Sequence, residues 1–463
     1  MTQLNQPVVN FRKRIISASK WTFGGYALSQ VIRLFSGVIT SRLLEPEVFG
    51  LMSLVIVVMM GIGLLTDLGL MQSVIRSNHT HNEDYMNTIW TLQVIKGLLI
   101  WLLSILFSIG LYLLLTNHLL PVNTAYSNPL LPILIPVLTF SLVISGFEPT
   151  WTMLATKRME QALLTKIELA SQVGSMLVTI AWAYYHRTIW AIIVGWLAGV
   201  IVKSFLTYYF RPKPHNKWHL DEKFTVEILH FGKWILLSTL IGFYAVNGDR
   251  IMLGGLIDER QLGFYSIAYM FYNLMTVVYE KFTSGVVYSA LSEAYHTSHE
   301  KLKSTYYKFR LYSDAAILFI AGGLFSAGHL IIDIIYDDRY TSAGPILQML
   351  AIGLVALRYK LSDQCFTVIN KPFMMTVSTL VRALFLMIAL PLAYKYSGLN
   401  AAIWAIVFTN FSSIPFVLYF KYKTDLLDIK KEIILLPLFF IVGLKITLPP
   451  SLLLIKLTLE IST

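Results

Sequence analysis

The chain has 463 residues, of which 56% are hydrophobic and only 14% are charged, and its mean hydropathy is +0.63. Soluble domains carry roughly 25% charged residues, so this composition excludes a set of soluble domains and favours an integral membrane protein. The net charge of +11 does not indicate nucleic-acid binding, because no nucleic-acid-binding module is recognisable and Lys and Arg accumulate in cytoplasmic loops.

The N-terminus is polar and basic before the first apolar segment begins. Arg12, Lys13 and Arg14 resemble the basic region of a signal peptide. The apolar run 21–44 is too long for one, however, contains Arg33 and lacks a small-residue cleavage pattern. We therefore expect a retained first transmembrane helix.

Apolar runs of about 20 residues, the length that crosses a hydrocarbon core about 30 Å thick, recur along the chain. Six predicted helices precede a polar linker, at 21–44, 48–71, 86–115, 129–147, 164–184 and 189–210. Six more follow it, at 234–256, 262–288, 315–336, 343–368, 374–394 and 399–420. A last apolar stretch, 433–455, contains Pro449-Pro450, and the sequence leaves open whether it forms one helix or a short hairpin.

These segments predict two lobes. We assign the N-terminal lobe to 1–210, a basic cytoplasmic linker to 211–229, the C-terminal lobe to 230–422, and an extension of one helix or a hairpin to 423–463. The predicted fold class is all-α integral membrane, with two six-helix lobes related by a pseudo-two-fold axis along the membrane normal and a short C-terminal apolar segment.

An internal repeat supports two lobes of the same orientation. A shift of 213 residues lays Lys20-Trp21 over Lys233-Trp234 and Asp67 over Glu280. The shift spans six crossings, and an even number gives both lobes the same orientation. Transporters often place their substrate site between such repeats.

Loop charges predict the orientation of the chain. With the N-terminus in the cytoplasm, 22 Lys and Arg residues fall in cytoplasmic segments and only 5 in the opposite loops. Lys and Arg are enriched on the cytoplasmic side of membrane proteins. We therefore predict a multi-pass protein with a cytoplasmic N-terminus.

Polar and charged residues inside the helices form stripes at helical spacing. Each intramembrane charge costs at least about 2.5–3.5 kcal/mol to insert, and such residues usually face a cavity or a partner. The stripe of the first helix is Ser29, Arg33, Ser36 and Thr40; that of the fifth is Glu168, Gln172, Ser175 and Thr179. The stripe of the eighth is Ser266, Tyr269, Asn273, Thr276 and Glu280.

We predict that several cations face a hydrated cavity and bind an anionic substrate, because guanidinium groups bind phosphate through paired hydrogen bonds. The predicted substrate-binding cations are Arg33, Lys96, Arg250, Arg358 and Arg382. Helix-to-helix ion pairs, or snorkelling from a helix end for Arg250, are the alternative. For Lys360 and Asp363, three residues apart, an intrahelical pair is favoured.

Four acids accompany these cations, namely Asp67, Glu168, Asp249 and Glu280. The sequence leaves open whether they bind H⁺ or Na⁺ or pair with the cavity cations. Enzyme signatures are not found: there is no Walker A motif and no loop long enough for an extramembrane catalytic domain. A single cysteine and isolated loop histidines predict no metal site. We expect no enzymatic activity and no cofactor.

Several motifs resemble those of polysaccharide flippases. Ser41–Gly50 (SRLLEPEVFG) is similar to the "sRlLgPeefG" signature between the first two helices, and Asp67–Leu70 and Asn87–Trp90 continue that pattern. Asp249–Gly254 and Leu262–Ala268 are similar to the "Drl.lG…lG.Ys.A" stretch. The chain thus resembles the Wzx-type flippases of the multidrug/oligosaccharidyl-lipid/polysaccharide exporter superfamily.

This resemblance implies a cationic cavity that opens to one side of the bacterial inner membrane at a time. The implied substrate is an undecaprenyl-pyrophosphate-linked repeat unit of an O-antigen, capsule or exopolysaccharide. The implied partners are this lipid-linked oligosaccharide, membrane lipids, and a polysaccharide polymerase with chain-length proteins, but no nucleic acid. The apolar sequence after Lys431 is shorter than the two further helices of many family members.

Four alternatives remain from the sequence. An ion-coupled drug or metabolite antiporter and a lipid II flippase would have the same fold. A membrane-embedded polymerase or glycosyltransferase, or a non-transporting scaffold, would belong to a different class. The identity of the sugar, the coupling ion and the oligomeric state are left open.

Overall fold

The structure, a computed structural model, describes residues 8–65, 69–210 and 216–445. Within these ranges the chain forms helices with short connections and contains no strand. Among the described residues, seven helices are long and apolar enough to cross a membrane, or eight if a bent pair counts as one span. The prediction of an all-α membrane fold is confirmed.

The chain divides into two compact units, Met1–Leu240 and Ile241–Thr463. The boundary between them falls inside a single helix, Glu222–Gly254. The lobe limits at 210 and 230 that the hydropathy pattern suggests stay a prediction. The choice between one helix and a hairpin after 433 depends on residues 446–463, which lie outside the described residues.

The first unit consists of long helices with two short ones between them. The helices are α1 (Val8–Leu43), α2 (Pro46–Leu65), α3 (Leu70–Arg76), α4 (Glu83–Thr116), α5 (Leu131–Gly146), α6 (Trp151–Lys157), α7 (Gln161–Tyr185), α8 (Trp190–Tyr209) and α9 (Glu222–Gly254), which continues into the second unit. The predicted spans 21–44 to 189–210 fall mainly on these helices.

Small residues allow close helix packing in the first unit. A Cβ added at Gly97 of α4 would lie 2.8 Å from the carbonyl oxygen of Leu142 on α5. A Cβ at Gly195 of α8 would lie 2.9 Å from the carbonyl oxygen of Ser175 on α7. Such small-residue contacts are a main source of helix association in membranes, where lipid is as apolar as the side chains.

The helix pair α5 and α6 bends by 74° at residues 147–150. The bend leaves carbonyl groups without helical partners, and side chains of α4 donate to them. Gln93 Nε2 donates to the carbonyls of Ser145, Gly146 and Glu148 at 3.2, 2.9 and 3.1 Å, and Trp90 Nε1 donates to that of Phe147 at 3.3 Å. These bonds satisfy backbone groups that lipid could not.

Residues 216–221 of the predicted linker form a strap along the polar start of α4. The backbone N–H of Lys217 donates to Asn87 Oδ1 at 2.9 Å, and that of Asp221 donates to Thr88 Oγ1 at 3.1 Å. This part of the linker is therefore bound to the first unit.

In its described part, up to residue 445, the second unit contains the rest of α9 and nine further α-helices. These are α10 (Glu259–Phe282), α11 (Tyr288–Thr297), α12 (His299–Ile335), α13 (Ala343–Leu357), α14 (Lys360–Val368), α15 (Phe373–Ser412), α16 (Ile414–Lys423), α17 (Ile429–Ile433) and α18 (Leu436–Lys445). A π-helical turn, Thr283–Val287, joins α10 to α11.

Two long apolar stretches of the second unit contain a break or a bend. The predicted helix 343–368 breaks at Arg358-Tyr359 into α13 and α14. The helix α15 bends at Ser397-Gly398, where Gly398 has φ +69° and ψ −156°, a conformation that suits glycine. The second bend coincides with the predicted connection between the last two spans.

Candidate substrate pocket

A polar cavity of about 220 Å³ lies inside the second unit. It is bounded by α9, α10, the break between α13 and α14, and both halves of α15. Its polar and aromatic lining is Asp249, Tyr269, Tyr272, Asn273, Thr276, Glu280, Tyr359, Lys360, Asp363, Ser378, Arg382, Thr409, Asn410 and Ser413. We refer to this cavity as the unit 2 pocket.

The polar stripe predicted on the eighth helix forms one wall of the pocket. Tyr269, Asn273, Thr276 and Glu280 of α10 all line it, at spacings that place them on one helix face. Ser266 is not among the lining residues; its hydroxyl donates to the carbonyl of Leu262 at 2.7 Å. The rings of Tyr269 and Tyr272 have their centroids 5.7 Å apart, so the wall presents adjacent aromatic faces.

Asp249 and Arg250 of α9 form an acid–base pair at one end of the pocket. Asp249 is only 5% exposed and accepts a hydrogen bond from the hydroxyl of Tyr265. Arg250 Nε lies 3.9 Å from Asp249 Oδ1, Arg250 Nη2 donates to Asn247 Oδ1 at 2.7 Å, and its guanidinium lies 4.4 Å from the centroid of the Tyr269 ring. Arg250 is therefore held beside the pocket by local partners.

Lys360 pairs with a different acid from the one that its sequence spacing suggests. Its Nζ forms an ion pair with Glu280 Oε1 on α10, across the pocket wall. The expected intrahelical pair with Asp363 is thus not the contact that this structure shows. The break before α14 places Lys360 and Asp363 in its first turn, where both line the pocket, and α10 supplies the nearer carboxylate.

Arg382 of α15 is a pocket-lining cation with unused donor capacity. Its Nη2 donates to Thr379 Oγ1 at 3.4 Å, a long hydrogen bond. Its Nε is buried and has no hydrogen-bond partner among the described residues. Arg382 also lines the pocket, so its guanidinium is a candidate partner for an anionic oxygen of a substrate.

Arg358 requires a correction, because it does not line the pocket. Its side chain is fully buried and pairs with Asp314 of α12, and its Nη2 also donates to the carbonyl of Glu432 at 2.7 Å. The sequence placed this arginine in a cavity because it lies inside an apolar segment. The structure satisfies its charge with acidic and carbonyl groups instead.

The other predicted site residues belong to the first unit. Arg33 is exposed on α1, and Lys96 is half-buried on α4. Glu168 is exposed on α7 and accepts a hydrogen bond from Gln172 Nε2 at 3.4 Å. Asp67 lies outside the described residues. The predicted convergence of these residues with the pocket residues stays a prediction.

Sequence reasoning did not include several residues that line the pocket. Ser378 lies four residues before the predicted Arg382 on α15, and Asn410 and Ser413 lie three apart at the end of this helix. Such i, i+3 and i, i+4 pairs of polar residues within apolar helices were the available signal. Tyr272 had no such signal, because most tyrosines of membrane helices belong to the interfacial aromatic belt.

The charges around the pocket balance each other. The lining acids are Asp249, Glu280 and Asp363, and the lining bases are Lys360 and Arg382; Arg250 is not a lining residue but pairs with Asp249. The unit 2 pocket is therefore not predominantly cationic, and a cationic cavity that includes Arg33 and Lys96 stays a prediction. Hydroxyl, amide, carboxylate and aromatic groups together suit a ligand that has both hydroxyl groups and an apolar face, and Arg382 adds a donor for an anionic oxygen.

Comparisons with known proteins agree with this architecture. The sequence model of the family "Polysaccharide biosynthesis protein" matches residues 39–345. The chain is 22% identical over 348 residues to "Lipopolysaccharide biosynthesis protein WzxC" of Escherichia coli (strain K12), which covers 74% of this chain and 68% of that protein.

Solved structures share the fold. The lipid II flippase MurJ in its inward closed conformation has a TM-score of 0.71 and 14% identity, with 96% of each chain covered. An inward-facing multidrug resistance MATE family transporter of the MOP superfamily has a TM-score of 0.65 and 16% identity, covering 86% of this chain and 94% of the other. The expected resemblance to Wzx-type flippases is confirmed, and the chain belongs to the polysaccharide biosynthesis protein family.

Proposed function

We propose that this protein is a flippase that moves a lipid-linked oligosaccharide repeat unit from the cytoplasmic to the periplasmic leaflet by alternating access. Family membership and the similarity to WzxC support a role in surface polysaccharide assembly. The observation that carries the proposal is the unit 2 pocket, a polar, aromatic-lined cavity inside an apolar helical unit. Intramembrane ionisable residues of this kind mark substrate and ion pathways.

The lining of the pocket suits the head of such a substrate. Tyr269 and Tyr272 offer faces on which a sugar ring stacks, and Asn273, Asn410 and Thr409 offer hydrogen bonds to its hydroxyl groups. At about 220 Å³ the cavity is smaller than the roughly 300–1,000 Å³ of most small-molecule pockets. It takes one sugar and the adjoining phosphate rather than a whole repeat unit.

Arg382 binds the diphosphate in this proposal, through its guanidinium group, because the residue lines the pocket. Arg33 and Lys96 remain proposed further ligands of the diphosphate. An ion gradient or downstream polymerisation supplies the direction of transport, because binding alone shifts an equilibrium without driving net flux. The proposed setting is the bacterial inner membrane, with a cytoplasmic N-terminus, beside a polymerase and chain-length proteins.

The test is substitution of Arg382 at equal expression. We expect Arg382→Ala to reduce surface polysaccharide at least about tenfold and Arg382→Lys to reduce it less, because lysine keeps the charge but loses paired hydrogen bonding. Lys395→Ala is the matched control, because Lys395 is an exposed cation of the same helix outside the pocket. Undiminished export by Arg382→Ala would remove Arg382 from the site.

Arg33→Ala and Arg33→Lys test the first unit in the same way. Full export by both variants would exclude Arg33 from the substrate site.

Flipping of a lipid-linked oligosaccharide by the purified, reconstituted protein separates a flippase from a scaffold and from a polymerase or glycosyltransferase, since only a flippase moves the lipid unchanged.

A second candidate, an ion-coupled antiporter, is favoured by one observation. Asp249, Glu280 and Asp363 place three carboxylates around the pocket, and carboxylates suit a cationic solute. Proton- or sodium-driven efflux of organic cations from proteoliposomes, with no flipping of the oligosaccharide lipid, would support the antiporter and contradict our proposal.

A further inference from the structure

A cluster of five charged residues lies fully inside the second unit, away from the lining of the pocket. Its members are Arg310 and Asp314 on α12, Arg358 at the α13–α14 break, Lys421 on α16 and Glu432 on α17. The most exposed of them, Glu432, is only 4% exposed. We call this set the buried ion cluster.

The contacts of the cluster converge on Glu432. Arg310 Nη2 lies 2.5 Å from Glu432 Oε2, and Lys421 Nζ pairs with Glu432 Oε1. Tyr307 donates its hydroxyl to the same Oε1 at 3.0 Å. The short helix α17 is thereby attached to α12 and α16 by one carboxylate.

The other side of the cluster holds the break between α13 and α14. Arg358 pairs with Asp314, and its Nη2 also donates to the backbone carbonyl of Glu432 at 2.7 Å. Tyr306 accepts from Arg310 Nη1 at 2.7 Å and shares a hydrogen bond of 2.9 Å with Ser362 of α14. Both the break and the first turn of α14 are therefore tied to the cluster.

This arrangement connects the C-terminal segment to the wall of the pocket. Lys360 and Asp363, which line the pocket, lie on the same turn of α14 as Ser362, and Lys360 is two residues after Arg358. The ring of Tyr359, another lining residue, lies 4.8 Å from the guanidinium of Arg310. We infer that Glu432 is a positioning residue, which acts through the buried ion cluster to fix the pocket wall that carries Lys360 and Asp363.

The chain contains its own probe of this inference. Cys365 is the single cysteine of the sequence, lies on α14, and is fully buried against Tyr306, Tyr307 and Leu426. A thiol in this position reacts with a maleimide only when the side chains packed around α14 separate. The rate of Cys365 labelling therefore reports how firmly α14 is held against α12 and the segment at Leu426 in the full-length protein.

We expect Glu432→Gln to raise the rate of N-ethylmaleimide labelling of Cys365 at least about tenfold in the purified, folded protein, because loss of one partner from a buried ion cluster favours local opening. Asp425→Asn is the matched control. It removes the same charge from the same segment, but the Asp425 side chain is 89% exposed. Unchanged protection of Cys365 in folded Glu432→Gln, or equal exposure in both variants, would overturn the inference.

A second variant keeps the test decisive if Glu432→Gln does not fold. Lys421→Met combined with Glu432→Gln removes one base and one acid, so the net charge of the cluster is unchanged. The ion pair between Arg310 and Glu432 of α17 is nevertheless lost. Faster labelling of Cys365 in this variant supports the inference. Labelling at the wild-type rate contradicts it.

A transport measurement separates positioning from a general loss of structure, and this arm rests on the proposed function. Per folded molecule, Glu432→Gln should raise the substrate concentration for half-maximal flipping more than it lowers the maximal rate. A lower maximal rate with unchanged half-saturation would indicate only fewer active molecules and would contradict positioning. If wild-type protein flips no lipid-linked oligosaccharide, the proposed function fails while the labelling result stands.

Discussion

Two ion pairs of the second unit differ in their access to water. The side chains of Lys360 and Glu280 are 27% and 43% exposed in their pair, whereas those of Arg358 and Asp314 are 0% and 2% exposed. A partly solvated pair can exchange its partners with little strain. A buried pair depends on the shape and the remaining hydrogen bonds of its site.

This difference predicts the outcome of a charge exchange. We expect Lys360→Glu and Glu280→Lys each to lower stability and polysaccharide export, and the double variant to recover most of both, with a coupling energy of about 0.5–3 kcal/mol in a double-mutant cycle. Chemical unfolding followed by tryptophan fluorescence measures the cycle.

The matched exchange Arg358→Asp with Asp314→Arg should not recover stability, because the arginine would then lack the carbonyl of Glu432 that now accepts from Arg358. Equal recovery of both double variants would contradict the distinction between the two pairs.

The same residues show what the sequence could predict about the site. The polar face of α10 could be predicted, because polar residues at helical spacing in an apolar segment must turn toward something other than lipid. The environment of Arg358 could not be predicted, because its partners are 44 and 74 residues away in the chain. Spacing identifies the face of one helix, but it does not identify what another helix places opposite.

At the scale of helices, packing depends on where the backbones come closest. Gly97 and Gly110 both lie on α4, but only Gly97 faces a neighbouring backbone, and a Cβ at Gly110 would meet nothing within 4 Å. The carbonyl of Leu142 cannot move without shifting α5. The contact therefore gives a matched pair of substitutions.

We expect Gly97→Ala to destabilise the protein by about 1–3 kcal/mol, because the added methyl group forces α4 and α5 apart. Gly110→Ala should be neutral or slightly stabilising, since alanine favours helix. Thermal unfolding in detergent measures both. If Gly97→Ala is as stable as Gly110→Ala, the close contact between α4 and α5 is not a significant source of stability.

Helix positions were predictable from hydropathy, but helix breaks were not. Every predicted span falls mainly on helical backbone in the described residues. The bend at 147–150 contains Pro149 and falls where the predicted span 129–147 ends, but the short helix α6 beyond it and the break at Arg358-Tyr359 were not predicted. They persist because distant side chains, such as Gln93, satisfy the freed carbonyls, and hydropathy contains no information on such partners.

The orientation of the whole chain is a prediction from loop charge. We expect a green fluorescent protein fused after Lys217 to fluoresce, because the loop that contains Lys217 is basic and is predicted to be cytoplasmic. Alkaline phosphatase fused after Arg187 should be active, because the loop that contains Arg187 is not basic and is predicted to lie on the opposite side. The reciprocal fusions should be inactive and serve as controls. Phosphatase activity after Lys217 would reverse the assigned topology.

The balanced charges of the unit 2 pocket have a consequence for the step in which an unloaded carrier resets. With all six groups ionised, Asp249, Glu280 and Asp363 cancel Arg250, Lys360 and Arg382. Moving one elementary charge across 100 mV involves about 2.3 kcal/mol, so a neutral set contributes almost nothing to voltage dependence. If the cargo is anionic, as we propose, the loaded step is the electrically sensitive one, and any voltage dependence of resetting comes from charged groups outside this pocket, such as Arg33 and Lys96.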